Sequence, residues 1–353
     1  MKKIFAITLL TAGIILSGLI LNSVSAKNSK VQMLPVMSEE TKTQNTLWVG
    51  TFQLVWNEFM DNIVHGMVLF KDGTPETAKL LNQQEFKKSM LSENSYYTAY
   101  GKTDLELKKQ IEDAIMEKFG EKSDILDKID WNDSSNAYLV YAMLLKDFKF
   151  TTKFDMLKKE KFGKSTYKVQ YFGIDKESRQ NLYEGVRVLF YNNPFDFAVA
   201  MQSDIDEVIL YRTNSSKSLN DIYNELEHKS KKYRGSKKFA PGDQLKVPFM
   251  SVKDSVNYKE LCNNEILNTD RLYIAQALQT VDFNMDNSGV RLKSEAAMDI
   301  KVMSMPLTVK ERGRNFFFND SFVIFMKEKD KQLPYFAAKV KDMDMFKYMG
   351  EVK

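Results

Sequence analysis

From Val290 to Ser304 the chain alternates in character without a slip. Val290, Leu292, Ser294, Ala296, Met298, Ile300, Val302 and Ser304 make one face, and Arg291, Lys293, Glu295, Ala297, Asp299, Lys301 and Met303 make the other. Successive strand residues point to opposite sides, so this period predicts a β-strand with one apolar face. At about 3.3 Å per residue it would run roughly 50 Å, far beyond an ordinary strand of about five or six residues. The segment before it, Val281-Asp282-Phe283-Asn284-Met285, carries its apolar residues at odd positions. The parity therefore flips across Asp286-Asn287-Ser288-Gly289, as a reversing turn requires. The plainest reading is a hairpin followed by a long loop through Met305-Pro306 and the charged run Lys310-Glu311-Arg312-Gly313-Arg314.

Elsewhere the period changes. Phe52, Val55, Phe59, Met60 and Ile63 recur at helical spacing, predicting an amphipathic helix that ends near His65-Gly66. Thr103-Asp104-Leu105-Glu106 reads as a capping box, followed by Leu107, Ile111, Ala114, Ile115 and Phe119 on one face. Ser218 with Asp221 opens another helix, with Ile222, Tyr223 and Leu226 inside and His228 on its polar side. Val186, Val188 and Phe190 alternate, Asn192-Asn193-Pro194 turns, and Phe195, Phe197, Val199 and Met201 alternate again, which is a hairpin. Phe322–Met326 and Tyr335–Val340 are continuous apolar runs, as expected of strands covered on both faces. Helices come mainly first and strands mainly later, so the fold class is α+β, a single domain over residues 47–353 with large mixed β-sheets and N-terminal helices.

Lys2 and Lys3 precede an apolar run from Ile4 to Leu21, which ends at Val24-Ser25-Ala26. That is the layout of a signal peptide over residues 1–26, making the chain secreted and extracellular, or surface-anchored if the segment stays uncut. A membrane is a partner only in that second case. The polar stretch over residues 27–46 reads as a flexible tether.

Scarce residues exclude more chemistry than common ones allow. Cys262 is the single cysteine, so no internal disulfide or thiolate cluster can form. His65 and His228 are the only histidines, which rules out a multi-histidine metal site. Asp282, Asn284 and Asp286 open like a calcium loop. Its sixth position is Asn287 rather than Gly, however, and its twelfth is Lys293 rather than Glu, so no metal is expected. No glycine-rich phosphate loop is present, so no cofactor is expected. Lys229-Ser230-Lys231-Lys232-Tyr233-Arg234 and Lys237-Lys238 read as a solvated helix end and loop, the alternative being a patch that binds a polyanion. The net charge of +4 is spread along the chain and leaves no nucleic-acid footprint.

From about residue 135 onward the order of segments resembles a serpin. The segments that carry the resemblance are Asn136–Met143 with Phe148 and Phe154, the hairpin Val186–Met201, Ser218–Leu226, Lys246-Val247-Pro248-Phe249-Met250 and Tyr258-Lys259-Glu260-Leu261. They continue with Ile274-Ala275-Gln276-Ala277, Phe283, Gly289, Glu295-Ala296-Ala297, Phe318-Asn319-Asp320-Ser321-Phe322 and Tyr335–Val340. The first third of the chain lacks the matching segments. Ser321 stands where the family's strand usually has Pro, and Val290-Arg291-Leu292-Lys293 stand where inhibitory hinges favour small residues.

The resemblance implies a non-enzyme, a monomer whose partner is a serine or cysteine protease, possessing a reactive loop over about residues 289–317. After cleavage the loop would insert as a new strand and carry the protease with it. Its hinge would comprise Gly289, Val290, Ser294, Glu295, Ala296 and Ala297. The cut bond would be Lys310-Glu311, suiting a trypsin-like protease, or else Leu307-Thr308. The alternative is a non-inhibitory binding or surface module with the 290–304 strand permanently inserted. A secreted hydrolase is a third reading, resting on the signal segment and abundant carboxylates.

Overall fold

The computed structural model describes residues 31–41, 45–129, 131, 138–274, 276–293 and 313–346. The chain begins with β1 (Gln32–Leu34) and β2 (Thr46–Val49), then α1 (Thr51–Phe59) and α2 (Glu76–Leu81). Next come β3 (Tyr96–Lys102), α3 (Leu105–Phe119), β4 (Tyr138–Leu144), β5 (Lys146–Lys149), β6 (Asp155–Lys161) and β7 (Lys168–Ile174). β8 (Val186–Asn193), β9 (Asp196–Gln202), β10 (Asp206–Arg212) and α4 (Leu219–Lys232) follow. The chain continues through β11 (Gln244–Pro248), β12 (Met250–Asn257), β13 (Leu278–Met285), β14 (Gly289–Leu292), β15 (Asn315–Phe317), β16 (Phe322–Glu328) and β17 (Phe336–Val340). This is the expected α+β class with large mixed sheets.

A seven-stranded sheet in the order β1-β2-β17-β16-β10-β9-β8 forms the heart of the core. β10 and β17 are buried at every residue, as strands covered on both faces should be. A four-stranded sheet, β15-β11-β7-β6, and a second, β12-β13-β14-β5, accompany it. β3 pairs with β4, which runs through Leu145 into β5. Phe283 of β13 stacks on Phe336 of β17 with centroids 4.7 Å apart, tying the second four-stranded sheet to the seven-stranded one.

Several expectations need correction. Residues 31–41 and 45–46 are no tether: β1 pairs in parallel with β2, and Val31, Met33, Leu34, Val36 and Met37 are buried. The polar average of that stretch masked five apolar side chains that a sheet edge can take up. Two short strands precede the first helix, while α1, α2 and α3 all come before β4, so the helices do lie mainly toward the N-terminus. The cap of α3 is Asp104 rather than Thr103: its Oδ1 accepts from Leu107 N at 2.8 Å, and a carboxylate there also meets the positive helix end. Ser218 does cap α4 as its spacing implies, and α1 ends through a wider turn at His65. The 290–304 strand is described only to Lys293, with Val290–Leu292 in β14. Residues 294–304 lie outside the described residues, as do the signal segment and residues 27–30 and 42–44.

Candidate insertion cleft

β14 arises from a tight reversal. Asp286 Oδ1 accepts from Ser288 N (2.7 Å), Ser288 Oγ (2.9 Å) and Gly289 N (3.3 Å), the local bonding that makes Asp a turn residue. Buried Asn287 donates its Nδ2 to Phe154 O at 2.9 Å, which anchors the turn. The strand then lies antiparallel to both neighbours. Val290 opposes Met285 and Phe148, and Leu292 opposes Phe283 and Lys146. Gly289 is needed for that approach, because a Cβ there would fall 2.2 Å from Phe148 O and 2.8 Å from Lys149 Cα. Val290 and Leu292 point into the core, keeping the alternation seen in the sequence.

Past Leu292 the sheet is split. Lys293 has φ 115°, a region that side chains rarely adopt, so strand geometry stops there. β13 continues to Leu278, and β4 faces it across the gap. Among the described residues no strand pairs with the facing edges of Leu278–Asp282 and Tyr141–Leu144. A cleft runs between these edges, closed at one end by Leu292 and Lys293. Val49, Thr51, Phe52, Val55, Ser123, Asp124 and Ile125 also line it.

Two polar networks brace the cleft. Buried Gln279 donates its Nε2 to Val49 O (3.1 Å) and Thr51 Oγ1 (3.0 Å), and its Oε1 accepts from Tyr258 OH (2.8 Å). Burial pushes the Tyr258 phenol well up. At the β4–β5 junction, Lys146 inserts its ammonium between Asp206 (3.1 Å) and Glu328, with the Tyr335 ring 4.9 Å away. Glu328 also accepts from Ser92 N (3.1 Å), Ser92 Oγ (2.7 Å) and Ser95 Oγ (3.3 Å), while Tyr335 OH donates to Asp206 Oδ1 (2.9 Å). Burial holds the Asp206 carboxyl above its ordinary value despite Lys146. Burial also acts to raise Glu328, but hydrogen bonds from Lys146 and Ser92 outweigh it and hold the group low.

Of the sequence-predicted site residues, Gly289 and Val290 lie in β14. Ser294, Glu295, Ala296, Ala297, Leu307, Thr308, Lys310 and Glu311 lie outside the described residues. His65 Nδ1 sits 2.9 Å from Asp61 O at a helix end, and His228 is exposed on α4. Cys262 is half-buried, and burial raises its thiol. Among the described residues no group of three His, Cys, Asp or Glu could hold a metal. Phe283 and Met285 face inward as a strand would have them. Lys229 is not solvated as the basic run implied: it binds Asp196 (2.9 Å), Glu225 (2.9 Å) and Tyr211 OH (2.8 Å). The Gln279 and Lys146 networks escaped sequence reasoning. A lone Lys inside the apolar run before Phe148 was the one signal available for the second.

No family model matches the sequence, and no curated protein does. Solved structures similar to this chain include Serpin48, a highly specific serpin of the insect Tenebrio molitor, with TM-score 0.49 and 14% identity, covering 84% of this chain and 91% of that one. Thyroxine-binding globulin in complex with thyroxine is similar at TM-score 0.49 and 11% identity, over 85% of this chain and 93% of that one. A second structure of it, the human protein with thyroxine, gives TM-score 0.49 and 10% identity, over 85% and 92%. No helix among this chain's described residues is long and apolar enough to cross a membrane.

Proposed function

We propose that this chain is an exported, serpin-like protease inhibitor that works by strand insertion rather than by chemistry of its own. The observation that carries the reading is the split sheet: four residues of β14 lie between β13 and β5, and the cleft continues along the same line. Continued in that register, residues 293–297 would pair with 282–278 on one side and 145–141 on the other. Ser294 and Ala296 would then take the inward positions beside Val281 and Gln279, where small side chains leave the Gln279 bonds intact. Every residue added gains backbone partners on two sides and buries alternate side chains, so insertion runs downhill. Cleavage at Lys310-Glu311, or at Leu307-Thr308, would free the segment to move. Lys2, Lys3, the apolar run to Leu21 and Ala26 support export.

Incubation with trypsin-, elastase- and subtilisin-like proteases should yield a complex that survives SDS, and the cut chain should melt higher than the intact one. Clean cleavage with neither outcome sinks the proposal. One observation favours the static alternative, a binding module whose β14 never advances: Arg291 and Lys293 are pinned by acidic residues where β14 ends. That reading expects cleavage without any rise in melting temperature.

A further inference from the structure

We propose that the β6–β7 hairpin is a docking arm for an anionic lipid bilayer, held to the headgroups by charge. Residues 149–168 carry seven lysines, no arginine and two carboxylates, an excess of five positive charges in a chain whose net charge is only +4. The charge is therefore gathered here rather than spread along the chain. Lys158, Lys159 and Lys161 lie on β6, Lys164 in the turn and Lys168 on β7, and all five are exposed. The two carboxylates are taken up by other groups: Glu160 accepts from Lys246 Nζ at 2.7 Å, and Asp155 from Ser178 Oγ at 2.6 Å. Among the described residues no carboxylate pairs with any of the five lysines. Lys161 stands directly opposite Lys168 in the ladder, a like-charge pairing that costs stability unless something anionic lies over it.

Lysines on an edge strand commonly guard it against pairing with another chain, and β6 is the edge of its sheet, with a bulge between Leu157 and Glu160. That role accounts for Lys158 and Lys159, but not for Lys164 in the turn or Lys168 on the next strand in. The turn is also fixed in place. Phe162 is buried against Phe322 with ring centroids 6.1 Å apart, and Gly163 N donates to Asn319 O at 2.7 Å. Three features favour a bilayer over an anionic polymer. A polymer is followed by a groove, whereas these lysines stand on an edge and a turn, and no hairpin residue lines the cleft beside β13. No ring is offered for a base to stack on, because Phe162 is buried and Tyr167 packs against the core. Lysines without arginine forks act as point charges, which suits the diffuse field of headgroups better than phosphates in fixed register. With Phe162 held inside, no apolar side chain of the turn enters the acyl layer, so the contact is sensitive to salt.

This inference does not rest on strand insertion and is tested without a protease. The chain from Lys27, which keeps every described residue, is sedimented with phosphatidylcholine vesicles containing about one-third phosphatidylglycerol, and with vesicles of phosphatidylcholine alone. Wild type should sediment with the first and not the second, and should be released as salt rises from about 0.05 M to about 0.5 M. Lys161→Gln/Lys164→Gln/Lys168→Gln should bind roughly a hundredfold more weakly, at about fivefold per lysine. Lys231→Gln/Lys232→Gln/Lys238→Gln removes the same charge from the basic run around the end of α4 and should bind nearly as wild type does. The hairpin variant should melt no lower than wild type, since it relieves the repulsion between Lys161 and Lys168. A lower melting temperature would mean that these lysines already have partners in the chain, and would overturn the proposal. Absence of binding to the anionic vesicles overturns it as well, as do an equal loss in both variants and capture by DNA or a sulfated polysaccharide without capture by vesicles.

Discussion

Replacing Lys146 with Met keeps the stem that packs beside Tyr335 and removes only the ammonium. Two carboxylates would then remain in the core, Glu328 at 0% and Asp206 at 4% exposure, with hydroxyl and amide donors from Ser92, Ser95 and Tyr335 but no cation. Breaking a buried ion pair from one side costs about 3–5 kcal/mol. The donors that remain place this case near the lower end, about 3 kcal/mol at neutral pH. Without Lys146, the Glu328 carboxyl joins Asp206 above its ordinary value. A carboxyl raised in the folded state holds its proton more tightly there than when unfolded. The variant therefore regains stability as the pH falls, by about 1.4 kcal/mol per pH unit for each such carboxyl between its folded and unfolded values. In wild type the low Glu328 behaves oppositely: its contribution is present above the unfolded value and is lost as acid reaches the folded one. Urea unfolding of both proteins near about pH 8 and near about pH 5 tests this, and the deficit of the variant should narrow in acid. An equal deficit at both values, or one under about 1 kcal/mol, would refute a desolvated ion cluster at the β4–β5 junction.

Two further outcomes are expected. Gly289→Ala drives a methyl group toward Phe148 O and should displace β14, costing about 1–3 kcal/mol in thermal unfolding and opening residues 289–292 to limited proteolysis; unchanged cutting there would count against the close approach. Lys229→Met should release Glu225, which hydrogen bonds from Lys229, Tyr211 and Lys217, working against burial, hold at about 2. Carboxylate NMR should see that group titrate higher, and the stability it contributes above the ordinary value, lost in wild type only as the pH falls toward about 2, should fade earlier in acid.

Local features read well from the sequence because they act through near neighbours. The Ser218 cap, the β8–β9 hairpin and the reversal at Asp286–Gly289 each depend on residues within a few positions of one another. The cap of α3 falls one residue beyond Thr103 because Thr103 and Asp104 can both serve, and helix ends are the least sharply marked part of a helix in sequence. β1 was hidden by the polar residues around it, since a short strand has too few positions to show a period. The two networks at the cleft were out of reach for a different reason. Gln279 and Thr51 are separated by 228 residues, and Lys146 and Glu328 by 182. Nothing local marks either pair as partners.

The alternation from Val290, together with the turn before it, is a property of the sequence alone: the pleat of any strand sends those residues to opposite faces. How much of that strand enters the sheet is a tertiary matter. β5 pairs with four of its residues and β13 with three, after which the described sheet divides and Lys293 leaves extended geometry. Arg291 and Lys293 looked like ordinary outward charges until the loop after α3 brought Glu121 and Asp124 against them. Periodicity chooses which face a residue shows. Only the packing of distant segments decides what meets that face.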